Sequence, residues 1–298
     1  MSRADWIAVD WGTTACRAWA MTADGHVIAD ARSDAGMGGL EKSSFETALL
    51  SLVADWLDGA APVLACGMVG ARQGWVEAPY TTVPADPREV TATRAPTQDP
   101  RLHVTVLGGL KQDNPADVMR GEETQIAGAL ISRPDFDGVL CLPGTHTKWA
   151  QVSAGELVSF RTFMTGEMFA LLSHRSVLRH SIGSGWSADE FSEAVSDAIA
   201  KPEAIAQRLF GLRAEHLLNG LDPDTARARL SGFLTGAELA AARAYWLGQP
   251  VLIVGSETSS APYAAALAAQ GVAIEMLDGD RMTRQGLYHA RSRLGEFA

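Results

Sequence analysis

Residues 7–19 read Ile7-Ala8-Val9-Asp10-Trp11-Gly12-Thr13-Thr14-Ala15-Cys16-Arg17-Ala18-Trp19, and this stretch decides the fold that we expect. Its apolar residues predict two strands, at 6–9 and 16–21, joined by a Gly-Thr-Thr turn. Asp10 stands at the end of the first strand, where a carboxylate can hold Mg²⁺ through water. Glycine lets the turn approach a polyanion, and the two threonine hydroxyls can donate to phosphate oxygens. An ordinary β-hairpin uses the same residues and remains the alternative.

Length and composition are those of a globular protein. The 298 residues suffice for one large domain or two of about 150, so a cleft between two lobes is expected. The net charge of −10 opposes nonspecific nucleic-acid binding, so any bound phosphate should belong to a small ligand. Cys16, Cys66 and Cys141 lie in apolar runs without metal-ligand spacing, which predicts core residues in a reducing compartment. We see no signal peptide or membrane-spanning run and expect a cytoplasmic protein.

The hydrophobic pattern of the N-terminal part predicts a mixed sheet. A strand at 26–32 extends the first two strands into an antiparallel meander. Ser43 and Glu46 are spaced as a capping box, and apolar residues then recur at helical spacing to about Gly59. This region therefore predicts three strands followed by the first helix.

The next part of the chain is rich in glycine and proline. A short strand at 63–66 runs into the stretch 67–75, which suits a substrate wall and a tight packing turn equally well. Residues 78–100 contain several prolines and predict an irregular excursion. A strand at 102–107 follows, and the residues from 114 onward lead into a helix that ends near Ser132.

The N-terminal pattern returns in the middle of the chain. A strand at 138–142 is followed by Gly144-Thr145-His146-Thr147-Lys148, and a further strand begins at Trp149. Residues 156–164 extend this second meander. We infer a duplicated hairpin, with one copy in each lobe.

The C-terminal part alternates between helices and buried strands. Helices are predicted at 166–179, 187–200, 223–247 and 280–294, strands at 251–254 and 273–277, and a further helix between these strands. Gly232 and Gly236 lie inside a predicted helix, which suggests the close approach of a partner or ligand.

Five blocks of this sequence, taken together, resemble the 2-dehydro-3-deoxygalactonokinase family. They are Asp10-Trp11-Gly12-Thr13-Thr14, Gly67-Met68-Val69-Gly70 with Gly74-Trp75, Met119-Arg120-Gly121-Glu122-Glu123-Thr124-Gln125, Pro143-Gly144-Thr145-His146-Thr147-Lys148-Trp149 and Phe160-Arg161-Thr162-Phe163-Met164-Thr165-Gly166-Glu167. The first block alone resembles the first phosphate hairpin of the sugar kinase, hexokinase, Hsp70 and actin superfamily. The resemblance extends from Trp6 to about His289.

The resemblance implies an activity and a fold. The activity is ATP-dependent phosphorylation of the C6 hydroxyl of 2-dehydro-3-deoxy-D-galactonate in galactonate catabolism, with ATP and Mg²⁺ as cofactors. The fold is α/β and two-lobed, of the ribonuclease H-like or actin-like ATPase type. Each lobe has a mixed β-sheet flanked by helices, and the active site lies in the interlobe cleft. We expect lobes at 1–135 and 136–280, with a C-terminal helix at 281–298 that packs back on the N-terminal lobe.

Phosphoryl transfer needs in-line positioning, neutralised phosphates and an acceptor for the hydroxyl proton. We assign Mg²⁺ to Asp10. The phosphates are assigned to the two turns, with these residues: Gly12, Thr13, Thr14, Arg17, Gly144, Thr145, Thr147 and Lys148. A solvated Lys148 is an equal alternative. Glu122, or its close competitor Glu123, stands at a helix start and is the candidate base, although both could simply stabilise that helix N-terminus.

An anionic substrate in an acidic protein needs a specific cation. Arg161 is the first candidate for its carboxylate and Arg120 the second, followed by Arg72, whose block is variable in the family. His146 and Glu167 complete the candidate substrate-binding residues. For adenosine, the strand end at Gly255 and Ser256 resembles the superfamily's nucleotide motif, and Gly236 could flank the base.

Other functions remain open. A kinase of the same fold could act on another sugar acid or polyol. An exopolyphosphatase-like hydrolase of phosphoanhydrides shares the Gly-x-Glu-Glu helix start, although a net charge of −10 opposes a long polyanion. An actin-like assembly protein is the third alternative. We expect no nucleic-acid or membrane partner. The sequence does not determine the oligomeric state and is compatible with a homodimer.

Overall fold

The computed structural model describes residues 4–89 and 91–295, and the chain divides into two compact units. The first unit consists of Met1–Phe136, Val152–Ser159 and Gly279–Ala298, and the second unit consists of Asp137–Gln151 and Phe160–Asp278. The sequence analysis placed the short segment 152–159 in the C-terminal lobe, whereas it clusters with the first unit. There, Ala85 and Leu157 form an isolated antiparallel bridge.

The elements follow the predicted order with a few exceptions. The strands are β1 (Trp6–Trp11), β2 (Cys16–Met21), β3 (Val27–Ser33), β4 (Ala61–Gly67), β5 (Tyr80–Thr82), β6 (Ala92–Arg94), β7 (Leu102–Leu107), β8 (Gly109–Asp113), β9 (Ala116–Met119), β10 (Gly138–Leu142), β11 (Thr147–Ser153), β12 (Glu156–Phe163), β13 (Val251–Gly255) and β14 (Ile274–Asp278). The helices are α1 (Phe45–Val53), α2 (Glu122–Ser132), α3 (Thr165–Arg175), α4 (Ala188–Ala200), α5 (Ile205–Asn219), α6 (Pro223–Ala241), α7 (Arg243–Trp246), α8 (Glu257–Ala269) and α9 (Gly279–Leu294). Among the described residues, no helix has the length and apolar character needed to cross a membrane.

The main sheet of the first unit has the order β3-β2-β1-β4-β7-β6. β1 and β3 pair antiparallel with β2, and β4 pairs parallel with both β1 and β7, which confirms the predicted meander in a mixed sheet. Successive side chains of a strand point to opposite faces. Ile7, Val9 and Trp11 accordingly pack on the side of α1, and Trp6 and Ala8 pack on the side of α9. β1 is buried on both faces, so its carboxyl end is a rigid place for Asp10.

The proline-rich excursion contains more regular structure than predicted. β5 and β6 have three residues each, and β5 joins β8 and β9 in a separate three-stranded sheet. Strands of this length carry too little alternation to be recognised in the sequence. The hairpin of β8 and β9 was also missed, because it begins at Gly109, where a Cβ atom would lie 2.4 Å from the carbonyl oxygen of Met119. Close backbone packing, rather than side-chain pattern, defines this small sheet.

The predicted capping box of α1 is wrong. The helix begins at Phe45, and Ser44 at its N-cap makes no side-chain capping bond. Glu46 instead accepts the backbone N–H groups of Gln98 and Asp99 at 2.8 and 2.6 Å. A carboxylate that satisfies two N–H groups of a distant turn is not available to its own helix. This tertiary contact is not visible in local spacing.

The sheet with the order β12-β11-β10-β13-β14 repeats the order of five strands in the first unit, β3-β2-β1-β4-β7. β13 pairs parallel with both β10 and β14, as β4 does with β1 and β7. The turn between β10 and β11 thus occupies the position that the turn between β1 and β2 has in the first sheet. The predicted duplication of the hairpin is confirmed.

The helices of the second unit pack closely, and one of them was not predicted. α5 was not predicted, because its apolar residues are not confined to one buried face. Phe210, for example, is 65% exposed. Gly232 and Gly236 on α6 face α4, where Cβ atoms would lie 2.5 Å from the carbonyl oxygens of Phe191 and Val195. The close approach predicted at these glycines is therefore the approach of a neighbouring helix.

The first unit has a similar crossing of two helices. A Cβ atom on Gly128 of α2 would lie 2.0 Å from the carbonyl oxygen of Met282, and one on Gly286 of α9 would lie 2.1 Å from that of Thr124. Each glycine removes the side chain at the point where the other helix passes. The position of α2, and of the carboxylates at its start, depends on this crossing.

We expect Gly128→Ala to lower the free energy of unfolding by about 1–3 kcal/mol, because a methyl group there overpacks against backbone. The matched control is Gly211→Ala in α5, where a Cβ atom would meet nothing within 4 Å. Better helix propensity should make this control more stable by up to about 1 kcal/mol. Urea unfolding followed by circular dichroism measures both changes, and equal stability of Gly128→Ala and wild type would contradict the crossing.

Candidate active site

The first Gly-Thr turn connects β1 to β2 and is held from behind. The N–H of Gly12 donates to the carbonyl of Ala15, and the carbonyls of Gly12 and Thr13 accept N–H groups from Met37 and Gly38 at 3.0 and 2.9 Å. Gly36 lies directly against the turn, where a Cβ atom would be 2.2 Å from the backbone of Thr14. The turn is thereby fixed, while the side chains of Thr13 and Thr14 are exposed.

The second turn, between β10 and β11, is held in the same way. Gly144, Thr145 and His146 are exposed, and the carbonyl of Thr145 accepts the N–H of Glu167 at 2.9 Å. A Cβ atom on Gly166 would lie 2.1 Å from the carbonyl oxygen of Gly144. The start of α3 therefore supports this turn, as Gly36 supports the first.

Three residues predicted to contact ligands at the second turn have protein partners. Thr147 is buried, and its hydroxyl lies 2.9 Å from Tyr263 Oη. Lys148 is only 5% exposed, so the alternative of a solvated lysine is wrong. His146 Nε2 lies 2.6 Å from a carboxylate oxygen of Glu167, and this pair is partly exposed beside the turn. Gly144 and Thr145 remain as the accessible part of the predicted phosphate site.

Arg17 takes part in a chain of ion pairs. One of its terminal nitrogens contacts Asp10 and the other contacts Asp280 at the start of α9. Arg32 pairs with the second oxygen of Asp280 at 2.6 Å. The guanidinium of Arg17, which we predicted to bind phosphate, is therefore committed to two carboxylates. Asp280 was not predicted, because no local signal links it to a residue so far away in the chain.

Asp10 lies where a divalent ion could be held. Its burial raises the pKa of the carboxyl, and the neighbouring Arg17 lowers it. Arg17 engages Oδ2, while Oδ1 faces Gly67, where a Cβ atom would approach it to 3.3 Å. No cluster of three or more His, Cys, Asp or Glu side chains suited to a metal occurs in the described residues. One carboxylate oxygen beside a glycine fits Mg²⁺, which keeps most of its waters and takes its other ligands from phosphates.

The two candidate bases at the start of α2 have different surroundings. Glu123 is fully buried, and its carboxylate accepts the N–H of Gly121 at 2.6 Å. Burial, followed by the charge of Glu122, raises the pKa of Glu123 to about 8. Glu122 is only partly buried, and its carboxylate accepts the N–H of Arg120 at 3.1 Å. Glu122 is therefore the more accessible of the two.

The structure also separates the three candidate arginines. Arg120 is 7% exposed, its guanidinium lies 4.2 Å from the centre of the Tyr80 ring, and one terminal nitrogen donates to the carbonyl of Ala78 at 2.8 Å. Its Nε and Nη1 have no hydrogen-bond partner in the part of the chain that the structure describes. Arg161 is half-buried and donates to the carbonyl of Phe160, whereas the side chain of Arg72 is 81% exposed. Only Arg120 combines deep burial with unused donors.

Two adjoining cavities of about 210 and 570 Å³ lie within the second unit. Both are lined by Phe169, Ser231, Thr258 and Pro262. The smaller cavity extends to Gly144 and thus reaches the second turn, and the larger extends to Trp186. Because they share these residues, we treat the two cavities as one candidate ligand site, which we call the second-unit cavity.

The predicted adenosine residues lie near this cavity in different ways. Ser256 caps α8 by accepting the N–H of Ser259, which lines the cavity. A Cβ atom on Gly255 would lie 2.9 Å from the hydroxyl of Ser259. Gly236 faces α4, and its neighbour Thr235 lines the cavity instead. Ser231 and Thr235 have helical spacing on α6, a signal that the sequence analysis did not use.

Comparison with solved structures first defines the class. The chain has the actin-like ATPase fold: it aligns with the ADPNP-bound activator of 2-hydroxyisocaproyl-CoA dehydratase from Clostridium difficile at a TM-score of 0.54, with 12% identity and coverage of 98% and 96% of the two chains. The crystal structure of a "putative 2-dehydro-3-deoxygalactonokinase protein from Sinorhizobium meliloti" aligns at a TM-score of 0.90, with 38% identity and coverage of 98% of each chain.

Sequence comparison then defines the family. The profile of the 2-keto-3-deoxy-galactonokinase family matches residues 10–290, and the chain belongs to this family. It is 38% identical over 288 residues to "Probable 2-dehydro-3-deoxygalactonokinase DgoK1" of Rhizobium meliloti, covering 94% of each chain. It is 36% identical over 293 residues to the 2-dehydro-3-deoxygalactonokinase of Escherichia coli, covering 95% of this chain and 96% of that protein.

The raised pKa of Glu123 predicts a pH-dependent stability. The ordinary pKa of 4.5 applies in the unfolded chain and the value of about 8 in the folded chain. Between these two values the folded chain retains a proton that the unfolded chain releases. The stability that the protonated Glu123 contributes is therefore fully present below pH 4.5 and is lost as the pH rises to about 8.

Glu123→Gln removes that titration. We compare the melting temperature of this variant with that of the wild type at two pH values. The difference, variant minus wild type, should be larger at about pH 8.5 than at about pH 5 by at least about 4 °C. Differential scanning calorimetry measures this change. Glu77→Gln, at an exposed carboxylate of the same unit, serves as the control and should show no such trend. Parallel pH profiles for Glu123→Gln and wild type would contradict the raised pKa.

Proposed function

We propose that this chain transfers the γ-phosphoryl group of ATP to the C6 hydroxyl of 2-dehydro-3-deoxy-D-galactonate. Membership of the 2-keto-3-deoxy-galactonokinase family supports this substrate, as do the relatives named for the reaction. The observation that carries the proposal is the pair of Gly-Thr turns, each fixed from behind with its threonine hydroxyl exposed. Two rigid donor turns suit the terminal phosphates of a nucleotide, because preorganised donors need no rearrangement during transfer.

The nucleotide is assigned to the second-unit cavity and the second turn, and the first turn is assigned to phosphate. Gly144 and Thr145 donate to phosphate oxygens where the smaller cavity meets the second turn, and Gly12, Thr13 and Thr14 form the matching phosphate site of the first turn. The larger cavity accepts adenosine, with Trp186 as an aromatic wall and α8, capped by Ser256, along its side. Gly236 contributes by letting α6 pack on α4.

Asp10 would hold the divalent ion, and Arg17 holds Asp10 in place. When bound, Mg²⁺ neutralises the charge that develops on the transferred phosphoryl group. Because Asp280 binds its other terminal nitrogen, Arg17 itself is fixed from two sides and holds Asp10 Oδ2 in one position. In this proposal Arg17 orients a metal ligand instead of binding phosphate.

The carboxylate of the sugar acid is assigned to Arg120. Its unused Nε and Nη1 are charged donors on different sides of one guanidinium, and each can donate to an oxygen of an anion. A buried donor without a partner is costly, so an anionic ligand there has a large electrostatic advantage. Arg161, Arg72, His146 and Glu167 remain weaker candidates, since each has a protein partner or is solvated.

Glu122 is proposed as the general base. It accepts the proton of the C6 hydroxyl as the oxygen forms its bond to the γ-phosphorus and the bond between that phosphorus and the ADP oxygen breaks. Glu123 remains the competitor, but its carboxylate is fully buried and accepts the N–H of Gly121, whereas Glu122 is only partly buried. That bond shapes the turn that presents Glu122. A cytoplasmic location is supported by three buried free cysteines, which suit a reducing compartment.

A coupled assay of ADP formation with ATP, Mg²⁺ and the sugar acid tests the activity and the base together. We expect turnover by the wild type, with a preference for this acid over its C4 epimer and over polyols. Glu122→Gln should lower kcat by about 10²–10⁴-fold and leave binding of both substrates nearly unchanged. Glu123→Gln is the matched control and should retain more activity. Wild-type protein that folds but does not turn over would reject the proposed substrate, and a larger loss in Glu123→Gln would exchange the two roles.

Arg120→Met tests the carboxylate site. Methionine preserves much of the packing and removes the charge, so we expect the KM for the sugar acid to rise by about 10- to 100-fold while the KM for ATP stays the same. Arg161→Met and Arg72→Met serve as controls with the same chemical change. If Arg161→Met raises that KM more than Arg120→Met does, the carboxylate binds at Arg161.

A further inference from the structure

Glu238 on α6 is a buried carboxyl group that the proposed reaction does not use. It is 3% exposed, and none of the hydrogen bonds described for it comes from a cation. Trp149 Nε1 donates to its Oε1 at 2.7 Å, and Tyr263 Oη donates to its Oε2 at 2.8 Å. The hydroxyl of Thr165 also forms a hydrogen bond with it, and the hydroxyl of Thr147 lies beside it and contacts Tyr263 Oη. Four neutral side chains therefore surround one carboxyl group.

These four side chains come from the elements that form the second-unit cavity. Thr147 and Trp149 lie on β11, directly after the second turn, Thr165 begins α3, and Tyr263 lies on α8. Thr165 and Tyr263 line the smaller cavity themselves. Glu238 also lies on α6, the helix that contributes Thr235 to the same cavity. A single carboxyl group thus links β11, α3, α6 and α8.

The energetics favour a geometric role for this group. Burial raises the pKa of Glu238, and the hydrogen bonds from Thr165, Trp149 and Tyr263 lower it. A buried carboxyl without a cation adds little stability compared with an apolar side chain of similar size. A fully satisfied polar network does, however, specify one arrangement of the elements that contribute to it.

We propose that Glu238 is a positioning residue for the nucleotide, and this inference rests on the proposed function. It sets the positions of the second turn, α3 and α8 around the phosphates and the adenosine. Tyr263 is the main link, because its hydroxyl contacts both Glu238 and Thr147 while its side chain lines the cavity. Loss of the Glu238 carboxylate should therefore shift Tyr263 and release the strand that follows the turn.

The test is isothermal titration of ADP and of an unreactive ATP analogue into the full-length protein. We expect Glu238→Gln to bind both about tenfold more weakly, the effect of about one lost hydrogen bond in a buried site. The KM for the sugar acid should not change. Glu215→Gln is the matched control, since Glu215 pairs with Arg229 in the same unit and does not line the second-unit cavity. Its affinity for nucleotide should remain within about twofold of wild type.

Tyr263→Phe provides a second variant in case Glu238→Gln does not fold. It keeps the ring and removes the hydroxyl, and we expect a comparable loss of nucleotide affinity. If Glu238 acts through Tyr263, the double variant should lose less than the product of the two single losses. Unchanged affinity in Tyr263→Phe, or in a folded Glu238→Gln, would overturn the positioning role. Absence of nucleotide binding by the wild type would instead overturn the proposed function, and the inference with it.

Discussion

A Gly-Thr turn can offer its hydroxyls to a phosphate only if other parts of the chain hold its backbone. Both turns of this protein satisfy that constraint. The carbonyls of Gly12 and Thr13 are held by Met37 and Gly38, and the carbonyl of Thr145 is held by the start of α3. In each case a glycine, Gly36 or Gly166, lets the supporting segment approach within a distance that a Cβ atom would not allow. The support is as much a part of each turn as the motif itself.

Three buried carboxyl groups illustrate three ways in which this fold satisfies an acid. Burial raises the pKa of Asp10, Glu123 and Glu238 alike. Asp10 has a cation, Arg17, which keeps a charged carboxylate available for a metal. Glu123 has backbone and hydroxyl donors and a second carboxylate as its neighbour. Glu238 has neutral side-chain donors only among the hydrogen bonds described for it. The partners, more than the depth of burial, distinguish the metal ligand that we propose from the residues that shape the site.

Predictions from the sequence were correct where they depend on a local pattern of residues. They failed where a contact with a residue distant in the chain decides the role of a side chain. The β1-β2-β3 meander and the duplicated hairpin were correct, because both follow from strand periodicity and turn residues. The capping box at Glu46 failed because residues 98 and 99 compete for its carboxylate. Arg17 was assigned to phosphate because Asp280 is 263 residues away in the chain. Gly236 was assigned to a ligand because a glycine makes room equally well for a neighbouring helix and for a nucleotide.

The sequence by itself determined the strand order of the meanders, the two Gly-Thr turns, the helix that begins with Glu122 and Glu123, and the family. These depend on contacts between residues close in the chain or on motifs quoted residue by residue. Only the tertiary structure decided which arginine has unused donors, which of the two glutamates is fully buried, and that Glu238 joins four elements of the second unit. Burial and hydrogen-bond partners are set by residues that meet only when the chain is folded, and sequence spacing carries no record of them.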